Sequence, residues 1–509
     1  MELIAASTNR LLHQPRRLFV VIFALTSLLT STWSIAQPLF VGPDEPAQVI
    51  WAYSLDHATA QGATTQLHAA FENVKVPASL AASQENENCF LTVNSQPANC
   101  AKPIGNDTHL VGAQTHFSQY PPLYYGLVGV STFFMHGSGS VYLMRIFSAL
   151  LTSLMLSIAL FAAIQWSTNR WLRFGVIAAA SPQVLFLGSI VNPSGLEVSS
   201  ALALYTVLFL LLTEEGGRNN IRAQQTLFCL AGVFALARPL SLMYLGIAGA
   251  LGVLCFGFKP TVVFWKSSRT VRRGVIFASL SAVIAALWIL THKSFKAIPS
   301  TSLSLVTPGE STGQLLRWVF KFVGGWFHET IGFFGWLDTM MPLRYYQLYE
   351  VVLVIGFALA LVVSNWRFRL GLLSLAILTY FLPVAIVMLH VRHLGVVWQG
   401  RDELPLVVGL WIFVLGSIGF TGHVPNLQRT ARGALALFFG LSYLFTFYEV
   451  LRRYSVGLHG SRFFFLHGAL WHPPVPILAL LIVNGLILLT LGTVVVTKDP
   501  AALSPQDVA

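Results

Sequence analysis

Charge is scarce in this chain. Of 509 residues only 10% are Asp, Glu, Lys or Arg, while 55% are hydrophobic. A water-exposed globular chain of this length would carry roughly 25% charged residues, so that class is excluded. Cysteine is scarcer still, four in all, and no Cys/His set has ligand spacing, which excludes a Cys/His metal cluster. No block of like charge and no aromatic–basic module occurs. The formal charge of +11 therefore does not point to nucleic acid. Internal repeats, low-complexity tracts and nucleotide-binding motifs are also missing. The first apolar run has no small-x-small cleavage site, so it reads as a retained helix and not a removed signal peptide.

What is present is a succession of apolar runs near the bilayer-spanning length of about 20 residues. They fall near 18–36, 140–165, 174–192, 196–213, 225–240, 241–258, 274–291, 348–364, 370–389, 404–421, 433–449 and 474–497. The expected fold is an all-α polytopic membrane protein of about twelve transmembrane helices, one membrane domain over 1–509 with both termini cytoplasmic. Residues 37–139 form a first extracytoplasmic loop and 292–347 a second. The stretch PPLYYGLVGVSTFFMH (121–136) is short for a span. It reads as a juxtamembrane helix with Tyr124 and Tyr125 at headgroup level. The last ten residues read as a tail.

Lys and Arg support this topology. Arg16, Arg17, Arg170, Arg173, Arg269, Arg272 and Arg273 crowd into short inner loops, as the positive-inside rule expects. Arg145, Arg238, Arg392, Arg401, Arg452 and Arg453 fall on the outer side. Cations at outer headgroup level suit an anionic partner such as a lipid phosphate. Cys89 and Cys100 share a polar outer loop and are the expected disulfide, the alternative being two free thiols.

Acids draw the eye because they are few. Asp44 and Glu45 stand side by side between Pro43 and Pro46, directly after the first span. Adjacent carboxylates repel and lose solvation, which would raise the pKa of one toward that of a general base. The prolines would hold the pair in one geometry. The alternative is an exposed acidic turn that merely ends a helix.

These residues carry a resemblance. PDEPAQ (43–48), THFSQYPPLYY (115–125), VYLMRIFSALL (141–151), SPQVLFLGSIVNPSGLEV (181–198), ALARPL (235–240), GWLDTMMP (335–342) and WQGRDELP (398–405) resemble a bacterial family of multi-pass proteins. That family is marked by a Pro-Asp-Glu-Pro-Ala-His motif and is similar to the GT-C glycosyltransferases. The resemblance implies a GT-C-like helical bundle in the bacterial plasma membrane, its active site extracytoplasmic. It implies inverting transfer of a hexose or pentose from a polyprenyl-phosphate donor to a glycan, lipid or protein acceptor in the cell envelope, among membrane lipids. Asp44, helped by Glu45, would deprotonate the acceptor; Arg145, Arg238 and Arg401 would bind the donor phosphate.

Departures from the pattern qualify this. Gln48 stands where the motif has His, Ser194 where it has Asp, Arg238 where Lys is common, and Asp402 where Tyr follows Gly-Arg. Glu197 lies one turn beyond Ser194 and could take its place. His116, Gln119, Tyr124, Asp338 and Trp336 are candidates to contact the acceptor or line the site, with an interfacial aromatic belt as the plainer account of Trp336. Some GT-C enzymes use a divalent metal and others do not; were Mg²⁺ or Mn²⁺ bound, Asp44 and Glu197 are the candidate ligands. The rival functions are a lipid-linked glycan transporter and a catalytically inactive envelope scaffold.

Overall fold

The computed structural model describes residues 14–66, 69–85, 89–91, 93–292, 310–420 and 425–496. The tail expected over the last ten residues and the stretch 293–309 of the second loop lie outside them.

Helices dominate. The first, α1 (Pro15–Ile35), starts with Pro at its first turn, where a missing N–H costs nothing. It leads into α2 (Glu45–Asp56), then strands β1 (Ala60–Gln66) and β2 (Ala69–Pro77), α3 (Ala78–Glu85), β3 (Leu110–Thr115) and α4 (Leu123–Gly129). The bundle continues with α5 (Gly137–Gln165), α6 (Arg170–Ala179), α7 (Pro182–Gly188), α8 (Pro193–Thr213), α9 (Ile221–Ala235), α10 (Ser241–Phe256), α11 (Phe258–Ser267) and α12 (Arg269–Thr291). After the second loop come α13 (Thr312–Phe320), α14 (Val323–Gly332), α15 (Leu343–Val363), α16 (Trp366–Leu394), α17 (Gly400–Ile418), α18 (Pro425–Val456) and α19 (Ile477–Val496).

Among the described residues eight helices are long and apolar enough to cross a bilayer, or ten if each bent pair counts as one span. The sequence suggests about twelve, and each of those segments is helical. The difference lies in four places. The 174–192 segment is broken into α6 and α7, bent by 60°. Helices α9 and α10 are short, and α17 opens on Arg401, Asp402 and Glu403. The 121–136 stretch, which is not one of the twelve, forms α4 and a 3₁₀ turn (Val130–Phe133), about 16 Å of helix and too short to span.

Helices α8 and α17 form the buried centre: from Glu403 to Ile418 every residue of α17 is buried. Helices α12, α15 and α19 lie outside, with Leu290, Val362 and Leu489 exposed on faces that lipid would cover. Between α1 and α5 the contact is small and polar. Thr26 Oγ1 meets Ser157 Oγ at 2.9 Å and Thr30 Oγ1 meets Ser153 Oγ at 2.7 Å, so the backbones approach closely without steric cost. Where α6 breaks into α7, the Tyr443 hydroxyl stands 2.5 Å from Ile177 O and 2.6 Å from Ala180 O. Its one proton is shared between carbonyls that the break frees.

The segment between α1 and α5 contains what the sequence left unassigned, an antiparallel sheet in the order β1-β2-β3. Thr115 Oγ1 donates to Ala47 O at 2.9 Å, tying β3 to α2. Cys89 and Cys100 form the expected disulfide. Arg453, buried at the C-terminal end of α18, donates to Phe90 O, Val93 O and Gln96 O and to Asp338 Oδ2 at 3.1 Å. The lobe is thus pinned to the bundle through the loop that the disulfide closes. Cys89→Ser is expected to remove about 3 kcal/mol of lobe stability on the loop-entropy model. Limited proteolysis of this lobe should accelerate while the membrane helices stay protected.

Candidate active site

Asp44 is the N-cap of α2, yet it does not cap: its backbone is left-handed at φ 61° and its carboxylate accepts no bond from the helix. An N-cap usually sits in the extended region with its side chain folded onto the helix N–H groups. The left-handed turn, which Asp tolerates better than most residues, swings the carboxylate away. Glu45, one residue on, therefore points in another direction. The pair that looks repulsive in sequence is separated onto two different arginines.

Glu45 is fully buried and so is Arg145 of α5. Arg145 Nε donates to Glu45 Oε1 at 2.7 Å and Nη2 to Oε2 at 2.6 Å. Its other N–H groups reach Ser34 O, Gln37 O and Pro38 O. Glu45 also accepts from Val191 N at 3.0 Å and Gly42 N at 3.3 Å. Five guanidinium donors are spent and both carboxylate oxygens are doubly satisfied, which is the condition under which a buried ion pair is tolerated. Asn192 adds a bond from Nδ2 to Pro43 O at 3.2 Å. This lock holds the 42–46 turn against the ends of α1, α5 and α8. Arg145 has no donor left for a phosphate.

Asp44 meets Arg401 at the start of α17: Arg401 Nη2 donates to Asp44 Oδ2 at 2.8 Å. Asp44 keeps 28% of its side chain exposed and Arg401 16%. Among the described residues Oδ1 accepts no hydrogen bond, and Arg401 makes only this one; its Nε is buried and unpartnered. Burial pushes the Asp44 carboxyl up, but the charge and hydrogen bond of Arg401, with His116 and Arg238, outweigh it and hold the pKa below the usual value. The sequence suggests a raised carboxyl in this doublet; the arginine reverses the sign. His116 lies beside the pair. Burial lowers its pKa and the charge of Arg401 lowers it further, against a raising pull from Asp44, so the imidazole is neutral near pH 7.

A second ion cluster lies next to the first. Arg238 Nη1 donates to Glu197 Oε2 at 2.8 Å and Nη2 to Asp402 Oδ1 at 3.1 Å, and Ser241 Oγ donates to Glu197 Oε1 at 2.8 Å. The guanidinium of Arg238 stands 5.6 Å over the Tyr120 ring. Glu197 is 0% exposed with both oxygens engaged. It therefore offers no ligand to a metal shared with Asp44. Among the described residues no group of three or more His, Cys, Asp or Glu side chains could hold a metal ion.

The first turn of α17 is held from the other side by α14. Glu329 Oε2 accepts from Gly400 N at 2.5 Å. A Cβ on Gly400 would come within 2.4 Å of Glu329 Cβ and of Trp326 O, so only glycine permits this approach. Gly400→Ala should lower stability by about 1–3 kcal/mol as an overpacked contact. The thermal midpoint in detergent should fall while the lobe disulfide remains formed. Burial pushes the Glu329 carboxyl up to about 7; Asp402 adds to the rise, and the Gly400 N–H and Arg401 oppose it.

The other candidates scatter. Tyr124 is fully buried with its hydroxyl on Ser148 Oγ at 3.0 Å, packing α4 on α5. Gln119 is buried at 7% exposure. Asp338 is taken by Arg453 and by Thr339 Oγ1 at 3.0 Å. Trp336 donates from Nε1 to Phe40 O at 3.5 Å, four residues before Asp44. Gln48, where the family motif has His, is buried and accepts from the Tyr125 hydroxyl. Sequence reasoning missed Glu329, Asp402, Tyr120 and Ser241. Only the acid-poor composition could have flagged the first two. An apolar groove of about 90 Å³ opens farther along α1, lined by Thr26, Leu29, Leu156, Val176, Leu488 and Val495 among others, and does not include Asp44 or Arg401.

No functionally curated protein matches the chain in sequence. Two crystal structures of ArnT from Cupriavidus metallidurans show a distant likeness. The apo state gives a TM-score of 0.41 at 13% identity, and the state bound to undecaprenyl phosphate gives 0.40 at 14%. Each match covers 94% of this chain and 76% of the other. The model of the family described as "Predicted membrane protein (DUF2142)" matches residues 27–410, three-quarters of the chain and all of the site. This multi-pass membrane protein belongs to the DUF2142 family.

Proposed function

We propose that the protein transfers a sugar from a polyprenyl-phosphate donor to an acceptor hydroxyl of the cell envelope on the extracytoplasmic face, with inversion. The observation that carries this is Arg401. Its guanidinium is mostly buried, holds five N–H donors of which one is engaged, and stands against a carboxylate whose second oxygen is free among the described residues. A phosphate needs unspent donors and a hydroxyl needs an acceptor; both lie in one place.

The acceptor oxygen would attack the anomeric carbon as Asp44 Oδ1 takes its proton. The bond from that carbon to the phosphate oxygen breaks, and the electron pair stays on the departing polyprenyl phosphate. Charge rises on the leaving oxygen, where the free donors of Arg401 stabilise it. Because Arg401 keeps Asp44 ionised, the base is present in its active form throughout the neutral range. Glu45 and Arg145 are positioning residues, since neither has an atom left for substrate. Arg238 is held by two carboxylates and sets the place of Asp402 and of the first turn of α17. A GT-C type of reaction is also what the sequence resemblance implies.

The alternative of an inactive envelope scaffold draws on the same ion pairs, since Arg238 and Arg401 already meet acids. Purified protein in lipid, given radiolabelled polyprenyl-phosphate sugars and crude envelope acceptor, separates the two. An enzyme moves label to the acceptor; a scaffold leaves all of it on the lipid.

A further inference from the structure

Glu329 and Glu403 are the two buried acids of this site with no arginine at ion-pair distance among the described residues, and Glu329 is the one bonded to the residue that precedes Arg401. Asp44 has Arg401, Glu197 and Asp402 share Arg238, and Glu45 has Arg145. Glu329 is 9% exposed and accepts one backbone bond from Gly400; among the described residues no cation lies within ion-pair distance of it. The groups that face it from neighbouring elements are Arg401, Asp402 and Glu403 of α17 and Tyr346 of α15. His328, on its own helix, is turned to Glu350 at 2.9 Å.

Its helix is not free to move away. Ser181 Oγ donates to Thr330 O at 2.7 Å, Phe333 N donates to Gln183 Oε1 at 3.0 Å, and the Tyr346 hydroxyl donates to Gly332 O at 2.7 Å. The carboxyl is therefore fixed against the residue that precedes Arg401. Burial pushes the Glu403 carboxyl well up, toward its neutral form; the four remaining acids around Arg238 and Arg401 (Asp44, Glu197, Asp402 and Glu329) outnumber the two arginines by two with Glu329 ionised and by one with it protonated. An incoming anion would feel that difference at close range and low dielectric.

We propose that Glu329 is a positioning residue that couples binding of an anionic headgroup at Arg401 to uptake of one proton, so that the site accepts the anion with Glu329 neutral. This rests on the donor-phosphate role of Arg401 proposed above. The mechanism is linkage: an anion that raises the proton affinity of Glu329 binds more tightly wherever that proton is already present. The carboxyl's midpoint near 7 places the effect in the physiological range. Asp44, held low, does not titrate there.

The test uses the full-length protein in nanodiscs and a methyl geranylgeranyl phosphodiester, whose single charge does not change between pH 5.5 and 8.5. Wild type should bind it about tenfold more weakly at pH 8.5 than at pH 6, which corresponds to one unit of pKa rise at Glu329 on binding. Calorimetry in buffers of different ionisation enthalpy should show proton uptake at pH 8. Glu329→Gln keeps an oxygen for Gly400 N and stays neutral. It should bind with the low-pH affinity at every pH and take up no proton, which a purely structural role would not produce. Wild-type binding that is flat with pH, or a slope that persists in Glu329→Gln, overturns the proposal and leaves the donor role standing. No binding by wild type at any pH overturns both.

Discussion

Asp44→Asn is expected to fold and insert like the wild type and to transfer sugar at least about a hundredfold more slowly, the usual effect of removing a general base. The expectation depends on backbone as much as chemistry. At φ 61° most side chains are strained by about 1–2 kcal/mol, while Asn, like Asp, visits this region readily. Asparagine also keeps an oxygen to accept from Arg401 Nη2, so the turn and the start of α17 stay in register. Only the proton acceptor is lost. Initial rates with labelled donor, measured beside thermal midpoints, check both halves: a slow, stable variant is the expected result. A variant as active as wild type would remove Asp44 from the reaction.

Its neighbour should behave in the opposite way. Glu45→Ala is expected to cost about 3–5 kcal/mol, because it strands the Arg145 charge in a site with 0% exposure. Arg145→Ala should cost as much by stranding Glu45. Replacing both together with apolar residues of similar volume, Glu45→Leu with Arg145→Met, should recover part of the loss, since neither charge is then left unpaired. Thermal midpoints and the yield of monodisperse protein read this directly. Near-wild-type stability in Glu45→Ala would show that the lock is not needed. Adjacent acids would thus give two phenotypes, one of rate and one of folding.

That division was not legible in the sequence. Asp44 and Glu45 differ by one position, and their partners are 357 and 100 residues away. No periodicity or local pattern reports such pairings. What the sequence did show was whatever depends on local composition: each apolar run is helical, the Cys89–Cys100 bridge is present, and the acid-bearing turn directly follows the first apolar helix. The sequence's count of about twelve differs from the eight to ten long apolar helices where hydropathy alone cannot see a bend, as at Ala180–Ser181 between α6 and α7, and where a helix carries its charges at one end, as α17 does. The sheet was missed because β1, AQGATTQ, has no alternation of apolar and polar residues to announce a strand. Glu329 was hidden among Trp326, Phe333 and Phe334, which read equally well as an interfacial belt. Its interest comes from Gly400, which is distant in sequence and approaches only because it lacks a side chain.

The pH behaviour follows from the same geometry. Asp44 is held ionised by arginine, so transfer should show no break from this residue in the neutral range. A fall in donor affinity above pH 7 that disappears in Glu329→Gln would belong to Glu329. Two carboxyls close to one arginine would thus carry separate duties, one as proton acceptor and one as a gauge of charge.

The most direct measurement is an experimental structure of the protein in lipid with the polyprenyl phosphodiester bound. The headgroup phosphate is expected within hydrogen-bond distance of the Arg401 guanidinium, with Asp44 Oδ1 open to the place where an acceptor hydroxyl would stand, on the non-cytoplasmic side of the bilayer. A headgroup seated elsewhere, or an Asp44 that faces the cytosol, would contradict the account.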